Sequence, residues 1–192
     1  MRSFLAVTPD AAARERLMGA IARLRGEVGS VRWVREPHLH ITLAFLRDVD
    51  EARLSSVIEA VRPVVAATTA FRLQVSGGGA FPDWARPRVV WLAFQDWEAL
   101  AGLGSAVRTA CAGAGSTPDG RFTPHLTIGR VMRPLPAVQR DRLREAVSAA
   151  QVPHPFEVSR VEVLHSVLAP GGPQHAVVAA LPLRARLDFP AG

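Results

Sequence analysis

The stretch His40-Ile41-Thr42-Leu43 has a counterpart in the second half of the chain, His125-Leu126-Thr127-Ile128. Both have the pattern His-x-Thr followed by an apolar residue, with the alternation of a half-buried β-strand. In a strand, residues i and i+2 point to the same face, so each histidine projects beside its threonine, roughly 6–7 Å away along the backbone. The apolar residues between them, and Phe45 after the first motif, are expected to face a core. The repeat predicts two similar strands that each present one imidazole and one hydroxyl.

Around these strands, apolar periodicity and turn residues predict an α+β protein. Four helices are expected, at Pro9–Gly26, Asp50–Ala66, Trp97–Ala112 and Pro136–Ala150. Seven strands are expected, at Phe4–Val7, Leu39–Leu46, Phe71–Val75, Arg88–Phe94, His125–Val131, Phe156–Leu168 and His175–Leu183. The run Ser76–Gly79 is expected to form a tight turn or a bulge, and Val138 is expected on the apolar stripe of the last helix. Because several connections are too short for crossover helices, the strands are expected to pair mainly antiparallel.

Length and composition exclude several classes of protein. The chain has 192 residues, 48% of them apolar and 21% charged, which allows one compact domain or two small lobes. No apolar run approaches the roughly 20 residues of a bilayer span, so no membrane partner is expected, and the N-terminal stretch is interpreted as the first strand of a cytoplasmic protein. The single cysteine, Cys111, excludes an internal disulfide and a multi-thiolate metal site, and no local base accompanies it for a nucleophilic role.

The basic residues are all arginine, 23 of them against 17 acidic residues, which gives a formal net charge of +6. Such a surface attracts phosphate-bearing molecules, and arginine is the basic residue best shaped for bidentate phosphate contact. A compositional bias of the genome explains the same counts, so charge alone leaves a nucleic-acid or nucleotide partner open. Arg35 and Arg121 lie just upstream of the two motifs, where they could steer a polyanion. Core packing and base stacking are both open for the tryptophans, Trp33, Trp84, Trp91 and Trp97.

Two imidazoles that face each other across a cleft suit one kind of chemistry. Histidine titrates near pH 6.5, so near neutrality one ring accepts a proton while the other donates one. This arrangement suits in-line displacement at phosphorus, in which one histidine activates water and the other protonates the departing oxygen. The threonine hydroxyls can donate hydrogen bonds to the non-bridging oxygens as negative charge builds there. Such a reaction needs neither a metal nor another cofactor.

The two motifs and their surroundings resemble the 2H phosphoesterases, in particular the RNA 2',3'-cyclic phosphodiesterase branch, historically called 2'-5' RNA ligase. The matching segments sample the chain from end to end: Phe4–Val7, Leu39–Leu46, Gly79–Pro82, Pro87–Trp91, Phe122–Arg130 and Val163–Leu168. The resemblance implies that residues 1–192 form a single bilobal domain. Its two pseudo-symmetric lobes, each an antiparallel sheet plus helices, would surround a central cleft.

The resemblance also implies a reaction and the roles of two histidines. His40 is identified as the proton donor to the leaving 3' oxygen and His125 as the base for water. The reaction implied is metal-independent hydrolysis of a 2',3'-cyclic phosphate to a 2'-phosphate, and reverse 2'-5' RNA ligation would use the same groups. The partner implied is RNA with a 2',3'-cyclic phosphate end, or a cyclic nucleotide, and the protein is expected to act as a monomer.

Three further residues receive phosphate-binding roles from the resemblance. Thr42 and Thr127 are identified as phosphate ligands, and Arg130 completes the anion site. Strict alternation puts Arg130 on the strand face opposite to the histidine, so this role requires Gly129 to permit a bulge or a twist.

The sequence also departs from the family pattern. Arg47 stands where a glycine is expected. Near His175 an aromatic tyrosine is expected, whereas the chain has no tyrosine, so His175 is a candidate to line the cleft in its place. The remaining histidines, His38, His154 and His165, are expected to be structural or exposed.

Two other functions remain as alternatives. The cleft could bind an RNA end or a nucleotide phosphate without turnover. A metal-dependent phosphoesterase could use His38, His40 and His125 as ligands, but Pro37 and the absence of any Asp or Glu beside either motif argue against it. The glycine run Ser76–Gly79 lacks the lysine and the spacing of a phosphate-binding P-loop.

Overall fold

Two antiparallel β-sheets and four α-helices are formed by residues 2–26, 28–169 and 172–186, the part of the chain that the computed structural model describes. The helices are α1 (Ala11–Arg25), α2 (Glu51–Ala67), α3 (Glu98–Gly113) and α4 (Ala137–Ser148). The strands are β1 (Arg2–Val7), β2 (Val31–Trp33), β3 (Ile41–Asp48), β4 (Phe71–Phe81), β5 (Val89–Gln95), β6 (Leu126–Val131), β7 (Phe156–Val158), β8 (Arg160–Ala169) and β9 (Gly172–Pro182). A 3-10 helix, Glu36–His38, leads into β3. The predicted α+β class with antiparallel pairing is confirmed.

The two halves of the chain repeat one order of elements and exchange their last strands. The first half contains β1, α1, β3, α2 and β4, and the second half contains β5, α3, β6, α4 and β8. One sheet has the order β3-β1-β8-β9 and the other the order β2-β6-β5-β4-β7. Consequently β4 lies beside β5 in the second half's sheet, and β8 lies beside β1 in the first half's sheet. The two His-x-Thr motifs belong to different sheets, in matching positions.

The pairing of β1 with β3 contains a bulge that changes which side chains share a face. The register shifts by one residue between Leu5 and Ala6, and Ala6 is the partner of Thr42. Because the shift interrupts the alternation, Phe45 lies on the same face as Thr42 and stacks on Phe4 with ring centroids 6.4 Å apart. The prediction that Phe45 faces the core on the opposite side is therefore wrong.

The helices are positioned by capping residues and by apolar stripes. Asp10 and Asp50 are the N-caps of α1 and α2, and each carboxylate accepts a 2.7 Å hydrogen bond from the backbone N–H three residues further on. The buried residues recur at helical spacing: Ala13, Leu17, Ala20, Ile21 and Leu24 in α1, and Leu54, Val57, Val61 and Val65 in α2. In α4 the prediction is wrong for Val138, which is 64% exposed, whereas Leu143 and Val147 are buried.

Three strand assignments differ from the sequence prediction. The single strand predicted at Phe156–Leu168 is wrong, because this segment forms two strands, β7 and β8, which belong to different sheets. β2 was not predicted, although its three residues alternate between buried and exposed. β4 does not end at Val75 but continues to Phe81, and Ser76–Gly79 forms a bulge within it rather than a tight turn. Gly77 has a positive φ of 67°, a conformation that favours glycine, and this glycine allows the strand to continue past the bulge.

A single large cluster of buried apolar side chains connects both sheets and all four helices. It includes Leu5 and Leu92 from the two sheets and Leu17 and Leu143 from helices, each with an exposed fraction of 0%. Burial of each such side chain contributes about 1.5–3 kcal/mol to folding. The shared core supports the single-domain interpretation of residues 1–192, which stays a prediction. Within the described residues, no helix is both long enough and apolar enough to cross a membrane.

Candidate active site

A cavity of about 440 Å³ lies where the motif strands β3 and β6 of the two sheets meet. It contains all five predicted site residues, His40, Thr42, His125, Thr127 and Arg130. The other lining residues come from β2, the segment that follows it and β9: Arg32, Trp33, Val34, Arg35, His38 and His175. Two imidazoles that are distant in the sequence therefore border one solvent-accessible space, as the motif repeat predicts.

His40 and His125 are held by the same local device. Each ring precedes its strand by one residue, and its Nδ1 lies 2.8 Å or 2.7 Å from the backbone carbonyl oxygen two residues upstream, that of His38 or Thr123. A carbonyl oxygen only accepts hydrogen bonds, so Nδ1 carries the proton in both rings. In the neutral imidazole, Nε2 is then the unprotonated nitrogen. Both rings are thus fixed in the tautomer that leaves Nε2 available as a base.

Aromatic neighbours pack against each of the two rings. Phe4 lies 5.0 Å from His40 between ring centroids, and Phe81 lies 5.0 Å from His125 in an edge-to-face arrangement. Trp91, the β5 partner of Thr127, also lies edge-on to His125 at 6.3 Å. These contacts restrict the rotation of both imidazoles and remove part of their surface from water.

Burial determines the protonation state of His40. It lowers the pKa of His40 to about 4, although the hydrogen bond with the carbonyl of His38 acts in the opposite direction. Smaller contributions that also lower this pKa come from the positive charges that His175, His38 and His125 carry when protonated. His40 is consequently neutral at pH 7 in the free protein.

His125 is affected in the same direction. Burial is the main cause that lowers the pKa of His125, the hydrogen bond with the Thr123 carbonyl opposes it, and the positive charge of Arg130 lowers it further. With the pKa of both rings below the ordinary value of 6.5, the free site holds two neutral imidazoles and a cationic guanidinium at neutral pH. A negatively charged ligand would raise the pKa of both rings.

Arg130 reaches the cavity because β6 contains the bulge that its predicted role requires. β5 pairs Val90 with Gly129 but Trp91 with Thr127, so one residue of β6 is extra and the alternation slips. Arg130 therefore lines the same cavity as Thr127. The bulge matches the one between β1 and β3, so Arg130 is the counterpart of Phe45 in the other half.

The threonine hydroxyls of Thr42 and Thr127 are available to a ligand. Neither hydroxyl makes a hydrogen bond to another residue in the described part of the chain, and both side chains are half-buried. A hydroxyl that lines a cavity without a protein partner can donate a hydrogen bond to an anionic oxygen. The lining residues include three arginines and no Asp or Glu among the residues described. The cavity thus has the electrostatic character of an anion site.

His175 on β9 lines the cavity, as expected for a residue that takes the place of the family's tyrosine. Its ring lies 5.4 Å from His40, 5.2 Å from His38 and 5.0 Å from Phe4 between centroids, edge-on in each case. His38, which was expected to be structural or exposed, also lines the cavity. These histidines do not amount to a metal centre, because the described residues contain no group of three or more His, Cys, Asp or Glu side chains that could hold a metal ion.

Sequence reasoning missed the contribution of β2 to the site. Arg32, Trp33 and Val34 line the cavity, and the alternation from Val31 to Trp33 was the signal that could have revealed a short strand. Gly129 makes this strand possible, since a Cβ there would lie 2.6 Å from Cγ1 of Val31.

Other residues singled out in the sequence lie elsewhere. Arg35 lines the cavity, but Arg121 lies outside it, and among the tryptophans Trp84 packs against the core and Trp97 is exposed. Cys111 is buried, and burial raises the pKa of its thiol to about 11, which agrees with the absence of a nucleophilic role.

The backbone conformation at Arg47 is the physical reason for the expected glycine at this position. Its φ is 57°, in the left-handed region that glycine adopts most readily. Its guanidinium forms an ion pair with Asp119 at 2.5 Å, and the backbone N–H of Asp119 donates a 3.0 Å hydrogen bond to the carbonyl of Phe45. Arg47 therefore connects β3 to the loop that precedes β6 instead of contributing to the cavity.

Comparison with known proteins identifies the group to which such a fold and site belong. The chain is 35% identical over 173 residues to an RNA 2',3'-cyclic phosphodiesterase of Archaeoglobus fulgidus, an alignment that covers 90% of this chain and 95% of the relative. It is 32% identical over 175 residues to one of Methanothermobacter thermautotrophicus, covering 90% and 94%. Among solved structures, TT0787 of Thermus thermophilus superimposes with a TM-score of 0.79 at 26% identity, covering 96% of this chain and 99% of the other.

The fold alone is also shared with Escherichia coli LigT complexed with 3'-AMP, at a TM-score of 0.76 and 24% identity, covering 95% and 97% of the two chains. These neighbours define the class as the two-lobed 2H phosphoesterase fold. The model of one particular family, the 2'-5' RNA ligase superfamily, matches residues 8–168. The chain belongs to that family, and the resemblance seen in its sequence is confirmed.

Proposed function

We propose that this protein is an RNA 2',3'-cyclic phosphodiesterase that opens the cyclic phosphate of RNA or nucleotide ends to a 2'-phosphate. The observation that carries the proposal is the pair of identically anchored imidazoles, His40 and His125, which are both held through Nδ1 and both line one cationic cavity. The names of the curated relatives support the same activity.

In the proposed reaction, Nε2 of His125 removes a proton from water as the water oxygen attacks phosphorus. His40, protonated in the complex, gives its Nε2 proton to the 3' oxygen as the bond between phosphorus and that oxygen breaks. The phosphodiester anion favours this protonation, because a negative charge close to Nε2 raises the pKa of His40. Each proton transfer contributes about 10²–10⁴-fold to the rate.

Thr42, Thr127 and Arg130 stabilise the phosphorus centre in this scheme. As the pentacovalent species forms, negative charge accumulates on the non-bridging oxygens, and the two hydroxyls and the guanidinium donate hydrogen bonds to them. Replacement of water by the 5'-hydroxyl of a second RNA strand would give a 2'-5' linkage through the same groups. Ligation is thus part of the proposal as a property of the same site.

Hydrolysis of adenosine 2',3'-cyclic monophosphate, followed by phosphorus NMR, tests the proposal. We expect a 2'-phosphate product, turnover that survives a chelator, and a loss of about 10²–10⁴-fold in kcat for His40→Ala and for His125→Ala. His154→Ala is the matched control, because His154 is exposed and lies outside the cavity.

Undiminished turnover in either cavity variant would refute the acid and base roles. A wild-type protein that binds adenosine 2'-monophosphate but turns over no cyclic nucleotide under any condition would instead be a phosphate-binding protein. A 3'-phosphate product would reverse the assignment of the leaving oxygen.

A further inference from the structure

Two arginines that line the cavity occupy directly opposed positions on neighbouring strands. Arg32 on β2 is the antiparallel partner of Arg130 on β6, so their Cα atoms are about 4.5–5.5 Å apart and their side chains share a face. Both side chains line the cavity, and both are exposed. Like charges at directly opposed positions destabilise a pair of strands.

Nothing in the described part of the chain neutralises this pair. Neither guanidinium makes a hydrogen bond or an ion pair with another described residue, whereas Arg47 and Arg160 each bind a carboxylate. Each guanidinium therefore presents its donors to solvent at the cavity, in the fork geometry that matches a phosphate. An anion bound between them would convert the repulsion of the two charges into a stabilising interaction.

The position of the pair relative to Thr127 indicates which anion it binds. Thr127 pairs with Trp91 of β5, and Arg130 pairs with Val89, two residues further along the same strand. Two residues of a strand correspond to about 7 Å, a step comparable with that between successive phosphates of an RNA chain. This separation is between backbone positions, and Arg32 stands opposite Arg130 at the same level of the sheet, so its side chain can reach a phosphate next to the one held by the threonines.

We propose that Arg32 forms a second phosphate subsite, which binds the 5'-phosphate of the nucleotide whose cyclic phosphate lies between His40 and His125. Arg130, which the proposed reaction places on the non-bridging oxygens of the cyclic phosphate, is shared between the two anions, since a guanidinium has five N–H donors. This proposal rests on the proposed function for the identity of the first phosphate. The chemical class of the preferred ligand is a nucleotide with two phosphates, one at the 5' position and one at the 2',3' positions, as at the end of an RNA chain. Mononucleoside cyclic phosphates occupy only half of the site.

The test compares kcat/KM for two substrates that differ in one phosphate, adenosine 2',3'-cyclic monophosphate with and without a 5'-phosphate. We expect the wild-type protein to prefer the 5'-phosphorylated substrate, and Arg32→Ala to reduce that preference by about 10–100-fold, the value of a charge-assisted hydrogen-bonded contact. Arg32→Lys, which keeps the charge without the fork, is expected to retain part of it. Arg144→Ala is the matched control, because Arg144 is exposed on α4 and does not line the cavity.

A wild-type protein without a preference, or an Arg32→Ala variant with the wild-type preference, would overturn the second subsite. The proposed function fails separately, if the wild-type protein hydrolyses neither substrate. In that event, calorimetry with adenosine 2',5'-bisphosphate and adenosine 2'-monophosphate tests the subsite without catalysis. Tighter binding of the bisphosphate, lost in Arg32→Ala, supports it, and equal affinities overturn it.

Discussion

Acidification of the medium should destabilise the folded protein through His40 in particular. The pKa of His40 is about 4 in the folded protein because the ring is buried, and the ordinary value in an unfolded chain is about 6.5. Below pH 6.5 the unfolded chain takes up a proton that the folded protein does not. Stability contributed by the neutral ring is therefore fully present above pH 6.5 and is lost as the pH falls towards 4. At about 1.36 kcal/mol per pH unit, the loss by pH 4 is about 3 kcal/mol.

Urea unfolding at pH 7 and at pH 4 measures this loss. Other groups also titrate in that range, so the informative quantity is the difference between wild type and His40→Asn, in which the pH-dependent loss should shrink by about 3 kcal/mol. His154→Asn is the matched control, since His154 is exposed and its φ of 61° is one that asparagine tolerates. An equal loss in wild type and His40→Asn, or a titration of the His40 ring near pH 6.5 by NMR, would show that burial does not control this group.

Three more outcomes are expected. The pH profile of kcat/KM for a cyclic nucleotide should have its optimum below 6.5, because one proton must reside on the pair formed by His40 and His125 and the pKa of each ring is lowered; an optimum above pH 7 contradicts this. Gly129→Ala should reduce the free energy of unfolding by about 1–3 kcal/mol, because the new Cβ would lie 2.6 Å from Cγ1 of Val31. Gly102→Ala on α3, where the Cβ would meet open space, should raise the free energy of unfolding by up to about 1 kcal/mol. Urea unfolding that changes the stability of both variants in the same direction would contradict the close contact between Gly129 and Val31. The thiol of Cys111 should react with a thiol reagent only after unfolding, because it is buried and its pKa is about 11; rapid reaction of the native protein shows otherwise.

Much of the site could be predicted because its chemistry is local in the sequence. Each His-x-Thr motif places a histidine and a threonine on one face through strand alternation alone, and the structure brings both motifs to one cavity. The main helices were also predictable, since capping residues such as Asp10 and Asp50 precede regular apolar stripes.

The remainder depended on partners that are distant in the chain. A bulge depends on how two strands pair, which a single strand's sequence does not show. Strict alternation therefore placed Phe45 on the wrong face, and Arg130 could be placed in the site only by assuming a bulge or a twist at Gly129. β2 has three residues and exists because Gly129 leaves room beside it, which no local pattern encodes. The approach of His175 to His40 likewise depends on how the whole first sheet is arranged in space, since β3 and β9 are its two edge strands, and no spacing in the sequence encodes it.

The exchange of β4 and β8 has a consequence for how the protein can be divided. A chain cut in the connection between β4 and β5 would yield two fragments, each of which contains a strand that pairs in the other fragment's sheet. The first fragment would lack β8, which pairs with β1, and the second would lack β4, which pairs with β5. Unpaired strands of this kind expose backbone groups and tend to aggregate. Neither fragment is expected to fold alone. A mixture of the two should regain structure only when β4 and β8 each insert into the other fragment's sheet. The duplicated halves therefore depend on each other and are not separable modules.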